Sequence, residues 1–131
     1  MALTFRQPDA LAKPIANYSQ VIEVSSGKLV FIAGQTAVDA QGKLVGKGDI
    51  AAQTRQVMEN LKTAVEGAGG SLRDIAKLTI FTTDLPAFRQ HTGDLRKAYF
   101  PRDYPTSTLV EISQLAHPDF LVEIEAVAAI D

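Results

Sequence analysis

The sequence pattern most informative about the fold is LVEIEAVAAI, residues 121–130. It is rich in residues that favour β-strands, and successive side chains of a strand point to opposite faces of the sheet. One face therefore carries only apolar side chains: Val122, Ile124, Ala126, Ala128 and Ile130. The other face carries Leu121, Glu123, Glu125, Val127 and Ala129. We predict a strand whose apolar face lies in the core, while its second face meets polar groups, a ligand or another subunit.

Upstream of this strand, the pattern predicts two strands and a long helix. Residues 20–25 and 28–33 are rich in Val and Ile and flank the turn signal Ser26–Gly27, which is typical of a β-hairpin. Residues 49–69 repeat apolar side chains at helical spacing, with Asp49 placed to cap the start and Gly69 to end the helix.

The remaining elements alternate between strand and helix. Residues 74–83 form a predicted strand that completes a β-α-β unit, for which we expect parallel pairing and a right-handed crossover. Residues 87–100 form a second helix, which follows Asp84 and Pro86. The last two strands are predicted over residues 106–113 and 120–130.

Five strands and two helices predict an α+β fold with a mixed β-sheet and both helices on one face. The chain has 131 residues, which fits a single domain over residues 1–131. The uncovered sheet face would expose Leu121, Val127 and Ala129, an unusually large apolar patch for so small a protein. We therefore expect self-association to bury that face.

The composition narrows the range of functions. Thirteen basic and fifteen acidic residues give a formal charge of −2, without the basic footprint of a nucleic-acid-binding protein. The chain has no cysteine, which excludes disulfides, thiol nucleophiles and thiolate metal sites. No apolar run approaches the roughly 20 residues of a membrane helix, and no secretory signal is visible. We expect a cytoplasmic protein without a nucleic-acid or membrane partner.

Several blocks of the chain resemble the Rid family of reactive intermediate imine deaminases, also called YjgF-like proteins. Their order and spacing agree over almost the whole chain: PIANYSQ (14–20), VFIAGQT (30–36), QTRQVMENLKTAVEGAG (53–69), IAKLTIFTTDLPAF (75–88), YPTSTLVEI (104–112) and LVEIEAVA (121–128). The resemblance implies a chorismate-mutase-like fold, a homotrimer whose sheets form a central barrel, and small-molecule sites in the clefts between neighbouring subunits.

The resemblance also implies a reaction. Active members of the family hydrolyse imines and enamines of amino acids, such as 2-aminoacrylate, to 2-keto acids and ammonia without a metal or cofactor. In the family, an arginine in a block resembling P-A-R-S-x-V-E binds the substrate carboxylate, but Ser107 stands at that position here. A hydroxyl cannot replace the charge of a guanidinium. The chain therefore resembles a subgroup without this arginine, and we expect imines with a free carboxylate to be poor substrates.

Three other positions match the family's site. Tyr18 matches a tyrosine that lines the cleft, and Gly34 matches a glycine where the backbone approaches the ligand. Glu123 matches the glutamate that holds or activates the attacking water, a role that a partly buried carboxylate can perform as a general base. A family asparagine has no match near Thr92.

Alternatives remain for several of these residues. Glu123 and Glu125 could instead pair with cations across a subunit interface. Arg102, just before the strand of Ser107, could supply a substitute cation, whereas Glu111 on the same strand is more typical of a structural or interface residue.

Two functions therefore stay open. The protein is an imine or enamine hydrolase with altered specificity, or a non-catalytic small-ligand-binding or regulatory trimer. Ribonuclease activity would need a cationic groove that the charge balance does not offer. The two histidines, His91 and His117, lack the spaced partners of a triad or a metal site, so we predict no metal centre.

Overall fold

The structure is a computed structural model that describes residues 2–131. This part of the chain contains six β-strands and two α-helices, together with a short 3₁₀ turn before the fourth strand. Their order is β1 Leu3–Arg6, β2 Val21–Val24, β3 Lys28–Gln35, α1 Ile50–Gly67, β4 Ile75–Thr82, α2 Leu85–Tyr99, β5 Thr106–Glu111 and β6 Val122–Ile130.

Four of the strands form a mixed sheet in the order β3-β6-β4-β5. Strand β6 is antiparallel to both of its neighbours, whereas β4 and β5 are parallel. Strands β1 and β2 form a separate antiparallel ribbon. Two helices combined with this mixed sheet confirm the predicted α+β class.

Helix α1 begins directly after Asp49, as predicted, whereas α2 begins at Leu85, two residues before the predicted range of 87–100. The Asp49 carboxylate accepts a hydrogen bond from the Ala52 backbone N–H at 3.0 Å, and the Asp84 carboxylate accepts one from Ala87 at 3.1 Å. These bonds satisfy amide donors that have no partner within the first turn of a helix. Pro86 lies in the first turn of α2, where its missing N–H costs nothing.

The main core lies between the helices and one face of the four-stranded sheet. Strand β6 contributes its whole apolar face to this core, as predicted: Val122, Ile124, Ala126, Ala128 and Ile130. Helix α1 contributes Val57, Met58, Leu61 and Val65, and α2 contributes Phe88, all of them fully buried. Burial of each large apolar side chain favours folding by about 1.5–3 kcal/mol, so this layer dominates the stability of the fold.

The predicted hairpin is wrong. The chain does turn at Ser26–Gly27, but β2 pairs with β1 and β3 pairs with β6. Gly27 has a φ of 90°, and a Cβ there would lie 2.6 Å from the carbonyl oxygen of Ile130. The turn therefore packs against the end of β6, and β3 continues along that strand. The partner of β2 is β1, a four-residue strand that the sequence analysis did not predict.

The predicted β-α-β unit is only partly correct. Strands β3 and β4 run in the same direction, but β6 lies between them, so they do not pair. Direct parallel pairing joins β4 to β5, with α2 as the crossover. Strand β6 takes the position between β3 and β4 because its apolar face fills the centre of the core.

The sheet face opposite the helices is largely uncovered. Leu29 is 56% exposed and Phe31 is 76% exposed, and both lie on β3. One end of this face is closed, where Ala129 and Ala76 pack against Leu3 of β1, so the prediction that Ala129 is exposed is wrong. Leu121, also predicted to be exposed, packs against the main core. Glu123 and Glu125 belong to the open part.

Candidate functional site

The first part of the site is a contact between β6 and β3. Glu123 lies opposite Phe81 of β4 and is partly buried, while Gly34 lies at a register irregularity of β3 between Ile32 and Gln35. The Glu123 side chain covers Gly34: a Cβ added there would overlap Glu123 Oε2 and lie 2.8 Å from Cδ. The missing Cβ therefore lets the carboxylate rest against the backbone of β3.

Neither Glu123 nor Glu125 forms an ion pair with another of the described residues 2–131. The ion pairs formed among residues 2–131 join Arg6 to Glu23 at 2.8 Å and Lys47 to Asp119 at 3.8 Å. The interpretation of Glu123 and Glu125 as members of ion pairs would therefore require a second copy. Glu125 is the more exposed of the two.

The second part of the site surrounds Ser107 on the edge strand β5. Ser107 lies opposite Leu78, a core residue, so its side chain emerges on the helix side of the sheet. It lines two adjoining cavities of about 350 Å³ and 520 Å³, both of which also contain Asn17 and Arg96. Tyr18 lines the larger one. These volumes are in the range of small-molecule sites.

The segment that carries Tyr18 is fastened to the start of β5. The backbone N–H of Ser19 donates to the Pro105 carbonyl at 3.1 Å, and its hydroxyl donates to the Tyr104 carbonyl at 2.5 Å. Ser19 is buried, so both bonds are shielded from water. They hold Tyr18 beside Ser107 although the two residues are far apart in sequence.

The two parts of the site lie on opposite faces of the sheet. Along β4, Leu78 points into the helix-facing core, and Phe81, an odd number of residues further on, points to the other face. Ser107 is in register with Leu78, and Glu123 is in register with Phe81. The structure thus brings Tyr18 to Ser107 and, separately, Gly34 to Glu123, but one chain does not bring the two pairs together.

Glu111 has a structural role. Its Oε1 accepts a hydrogen bond from the backbone N–H of Leu85 at 2.9 Å, at the first residue of α2. Together with Asp84 it supplies acceptors and negative charge to the helix N-terminus. This contact agrees with the structural interpretation favoured by the sequence.

Arg102, the predicted substitute cation, lies exposed in the turn between α2 and β5 and is not among the residues that line either cavity at Ser107. The cation that both cavities share is Arg96 of α2, which the sequence analysis missed. Arg89 lines the larger cavity. The sequence did contain one signal for this pair: Arg89 and Arg96 are seven residues apart, a spacing that places two side chains on the same side of a helix.

Arg96 is held by two neighbours on its own helix. Its Nε donates to the Thr92 Oγ1 at 3.1 Å, and its guanidinium lies 4.6 Å from the centroid of the Phe88 ring. Thr92 in turn donates to the Phe88 carbonyl at 2.6 Å, which fixes the hydroxyl that Arg96 meets. Burial lowers the pKa of the Arg96 guanidinium.

Residues 2–131 contain no group of three or more His, Asp or Glu side chains that could hold a metal ion. His91 and His117 are exposed, on α2 and in the loop before β6 respectively. Within the same part of the chain, neither helix has the length and apolar character needed to cross a bilayer.

The arrangement groups polar and charged side chains at two places on the chain. The cavity at Ser107 offers a cation, a hydroxyl, a phenol and an amide, which suit a small polar or anionic compound. The corner at Gly34 offers a partly buried carboxylate, which can accept a proton from water.

Comparison with known proteins places this chain in one family. The family model described as Endoribonuclease L-PSP matches residues 8–130. A RutC family protein of Pyrococcus horikoshii is 43% identical over 116 residues, covering 88% of this chain and 89% of the relative. The 3-aminoacrylate deaminase RutC of Acinetobacter baylyi is 36% identical over 124 residues, covering 92% and 93%.

Solved structures agree. A Rid-family protein of unknown function from Yersinia pestis superposes with a TM-score of 0.92 at 32% identity and covers 99% of this chain and 100% of its own. RidA from an Antarctic Psychrobacter superposes with a TM-score of 0.72 at 33% identity, covering 95% and 97%. The chain belongs to the Rid, or YjgF-like, family.

Proposed function

We propose that this protein hydrolyses a small imine or enamine to a carbonyl compound and ammonia, in a pocket completed by a second copy of the chain. The observation that carries the proposal is the Glu123 carboxylate, which rests on Gly34 without a cation partner among residues 2–131. The likeness to a relative named 3-aminoacrylate deaminase supports the same reaction class.

The chemistry needs one proton acceptor and one attacking water. Glu123 takes a proton from water as the hydroxyl adds to the carbon of the C=N bond, and the nitrogen gains a proton, which gives a carbinolamine. A further proton reaches the amino group, the C–N bond breaks, and ammonia leaves as the hydroxyl becomes the carbonyl. Overall, one imine and one water give one carbonyl compound and one ammonia. An enamine enters this sequence after it tautomerises to the imine.

A second copy supplies the missing half of the site. The open sheet face that carries Glu123 also exposes Phe31 and Leu29 further along, and burial of such apolar side chains favours association. We propose a homotrimer in which the open faces meet, so that the Tyr18–Ser107 cavity of one copy lies at the Gly34–Glu123 corner of its neighbour. This assembly explains why the two pairs lie on opposite faces of one chain.

The test follows free imine. An amino-acid oxidase generates imino acids in the presence of semicarbazide, and the absorbance of the semicarbazone reports the imine that escapes hydrolysis. The wild-type protein should lower semicarbazone formation. Glu123→Gln should lose about 10²- to 10⁴-fold in rate, the usual contribution of general acid–base catalysis.

Glu125→Gln is the matched control, because it removes a carboxylate from the same strand face one repeat further along. It should retain wild-type activity. Equal rates for Glu123→Gln and wild type would overturn the catalytic assignment. A wild-type protein that leaves the imine untouched but still binds a small ligand would favour the non-catalytic trimer.

A further inference from the structure

Arg96, which lines both cavities at Ser107, has no ion-pair partner among the described residues 2–131. Arg96 is partly buried, and no carboxylate oxygen among residues 2–131 lies within 4.0 Å of its guanidinium nitrogens. A guanidinium taken out of water without a partner is unfavourable, and burial lowers its pKa accordingly. An anion in the cavity would remove this penalty.

The neighbours of Arg96 leave its terminal nitrogens available. Thr92 accepts from Nε, and the Phe88 ring covers one face of the guanidinium. An arginine has five N–H donors, so four remain, on Nη1 and Nη2, which is the fork that binds a carboxylate through two parallel hydrogen bonds. Thr92 and Phe88 therefore hold the side chain in place without using the donors that a ligand needs.

Ser107 makes room for this arrangement. It lines both cavities with Arg96, and its short side chain leaves space that a longer residue would fill. Arg89 lies two helical turns away, about 10.5 Å along α2, and adds positive charge to the larger cavity. Asp94 is among the residues that line the smaller cavity, but it does not line the larger one.

We propose that Arg96 is the carboxylate-binding residue of this protein, with Thr92 as its positioning residue and Arg89 adding charge nearby. The cation thus comes from helix α2 and not from the strand position occupied by Ser107. The ligand is then a small imine or enamine that carries a free carboxylate. The identity of the reaction rests on the proposed function, whereas the binding of a carboxylate by Arg96 does not. The assignment also reverses the expectation, drawn from Ser107 alone, that imines with a free carboxylate are poor substrates.

Binding of a stable analogue tests the assignment without turnover. Pyruvate carries the carboxylate and the carbonyl of a product, and methyl pyruvate is the same molecule without the charge. Calorimetric titration of the full chain should show pyruvate binding at least about 10-fold more tightly than its ester, because charge-assisted hydrogen bonds are the stronger ones. Arg96→Met should weaken pyruvate binding about 10- to 100-fold and leave the ester unaffected.

Two further variants make the test specific. Arg102→Met removes the exposed turn arginine and should bind pyruvate like wild type. Arg96→Met combined with Ser107→Arg returns a cation to the same cavity from β5 and should restore most of the affinity. If Arg96→Met does not fold, Arg96→Lys, which keeps the charge but loses the planar fork, should bind pyruvate with intermediate affinity.

The outcomes separate this assignment from the proposed function. The role of Arg96 would be overturned if Arg96→Met bound pyruvate like the wild-type protein, or if the wild-type protein did not distinguish pyruvate from its ester. Either result would hold against Arg96 even if Glu123-dependent imine hydrolysis is found. Arg96-dependent pyruvate binding in a protein that hydrolyses no imine would support the carboxylate site and refute the enzyme.

Discussion

Gln53 connects the core helix to the strand that carries Glu123, and its replacement should destabilise the protein measurably. The side chain is fully buried, at 0% exposure. Its Nε2 donates to the carbonyls of Gly46 at 3.1 Å and Asp119 at 2.8 Å, and its Oε1 accepts from the Leu121 N–H at 2.9 Å. One side chain thus ties two loops and the entry to β6 to helix α1.

Gln53→Leu keeps the approximate size of the side chain but removes all three bonds. The N–H of Leu121 loses its partner beside the core, and an unsatisfied buried polar group costs about 1–3 kcal/mol. The carbonyls of Gly46 and Asp119 lie in loops where water can reach them, so the loss of their hydrogen bonds to Gln53 should cost less free energy. We expect a total decrease of about 2–4 kcal/mol in the free energy of unfolding.

Urea unfolding followed by circular dichroism measures this change, with an unaltered m-value as the sign of a true stability effect. Gln56→Leu is the control, because the Nε2 of Gln56 donates only to Asn60 Oδ1 on the same helix, at 2.9 Å. It should change the free energy by less than about 0.5 kcal/mol. Equal stabilities for Gln53→Leu and Gln56→Leu would refute the role assigned to the buried amide.

Three other predictions concern the site, the pH dependence and the assembly. Gly34→Ala places a Cβ against the Glu123 carboxylate and should displace it with little loss of folding stability. Imine hydrolysis in the semicarbazide assay should fall at least about 10-fold, and unchanged turnover would contradict a role for this contact. Burial, followed by the hydrogen bond to Glu59, raises the pKa of Tyr99 to about 12. This folded-state pKa lies above the unfolded value of about 10, so the stability that the neutral phenol contributes is complete below pH 10 and is lost as the pH rises towards 12. In unfolding titrations across that window, Tyr99→Phe should therefore lose less stability than the wild-type protein. Phe31→Glu puts a charge on the open sheet face, and light scattering should show smaller particles than wild type; an unchanged mass would exclude that face from the interface.

Local patterns in the sequence identified much of the fold. The alternation of Val122, Ile124 and Ala126 predicted which face of β6 is buried, because strand geometry alone sets that periodicity. Asp49 predicted the start of α1, because capping involves only residues of the first turn.

Pairing between strands could not be predicted in the same way. The Ser26–Gly27 turn suggested a hairpin, yet β3 pairs with β6, a strand at the far end of the sequence. No local signal reports that β6 inserts between β3 and β4.

The site shows a similar division. Glu123 and Gly34 were identified through the family's motifs, and the structure brings them into contact. Arg96 was missed because its position depends on contacts with Thr92 and Phe88 and on the distance between α2 and the edge strand, none of which a motif records.

The central claim is that one active site is assembled from two copies of the chain, with Glu123 from one copy and Arg96 from its neighbour. The most direct test co-expresses equal amounts of Glu123→Gln and Arg96→Met chains with different tags and measures imine hydrolysis by the purified mixture. Each variant alone should be nearly inactive. In a mixed ring, the chain that supplies Glu123 to a site is intact at that residue with a probability of about one half, and the neighbour that supplies Arg96 is intact there with the same probability. About a quarter of the sites should therefore be complete, and about a quarter of the wild-type activity should return. A mixture no more active than the two variants measured separately would contradict a shared site.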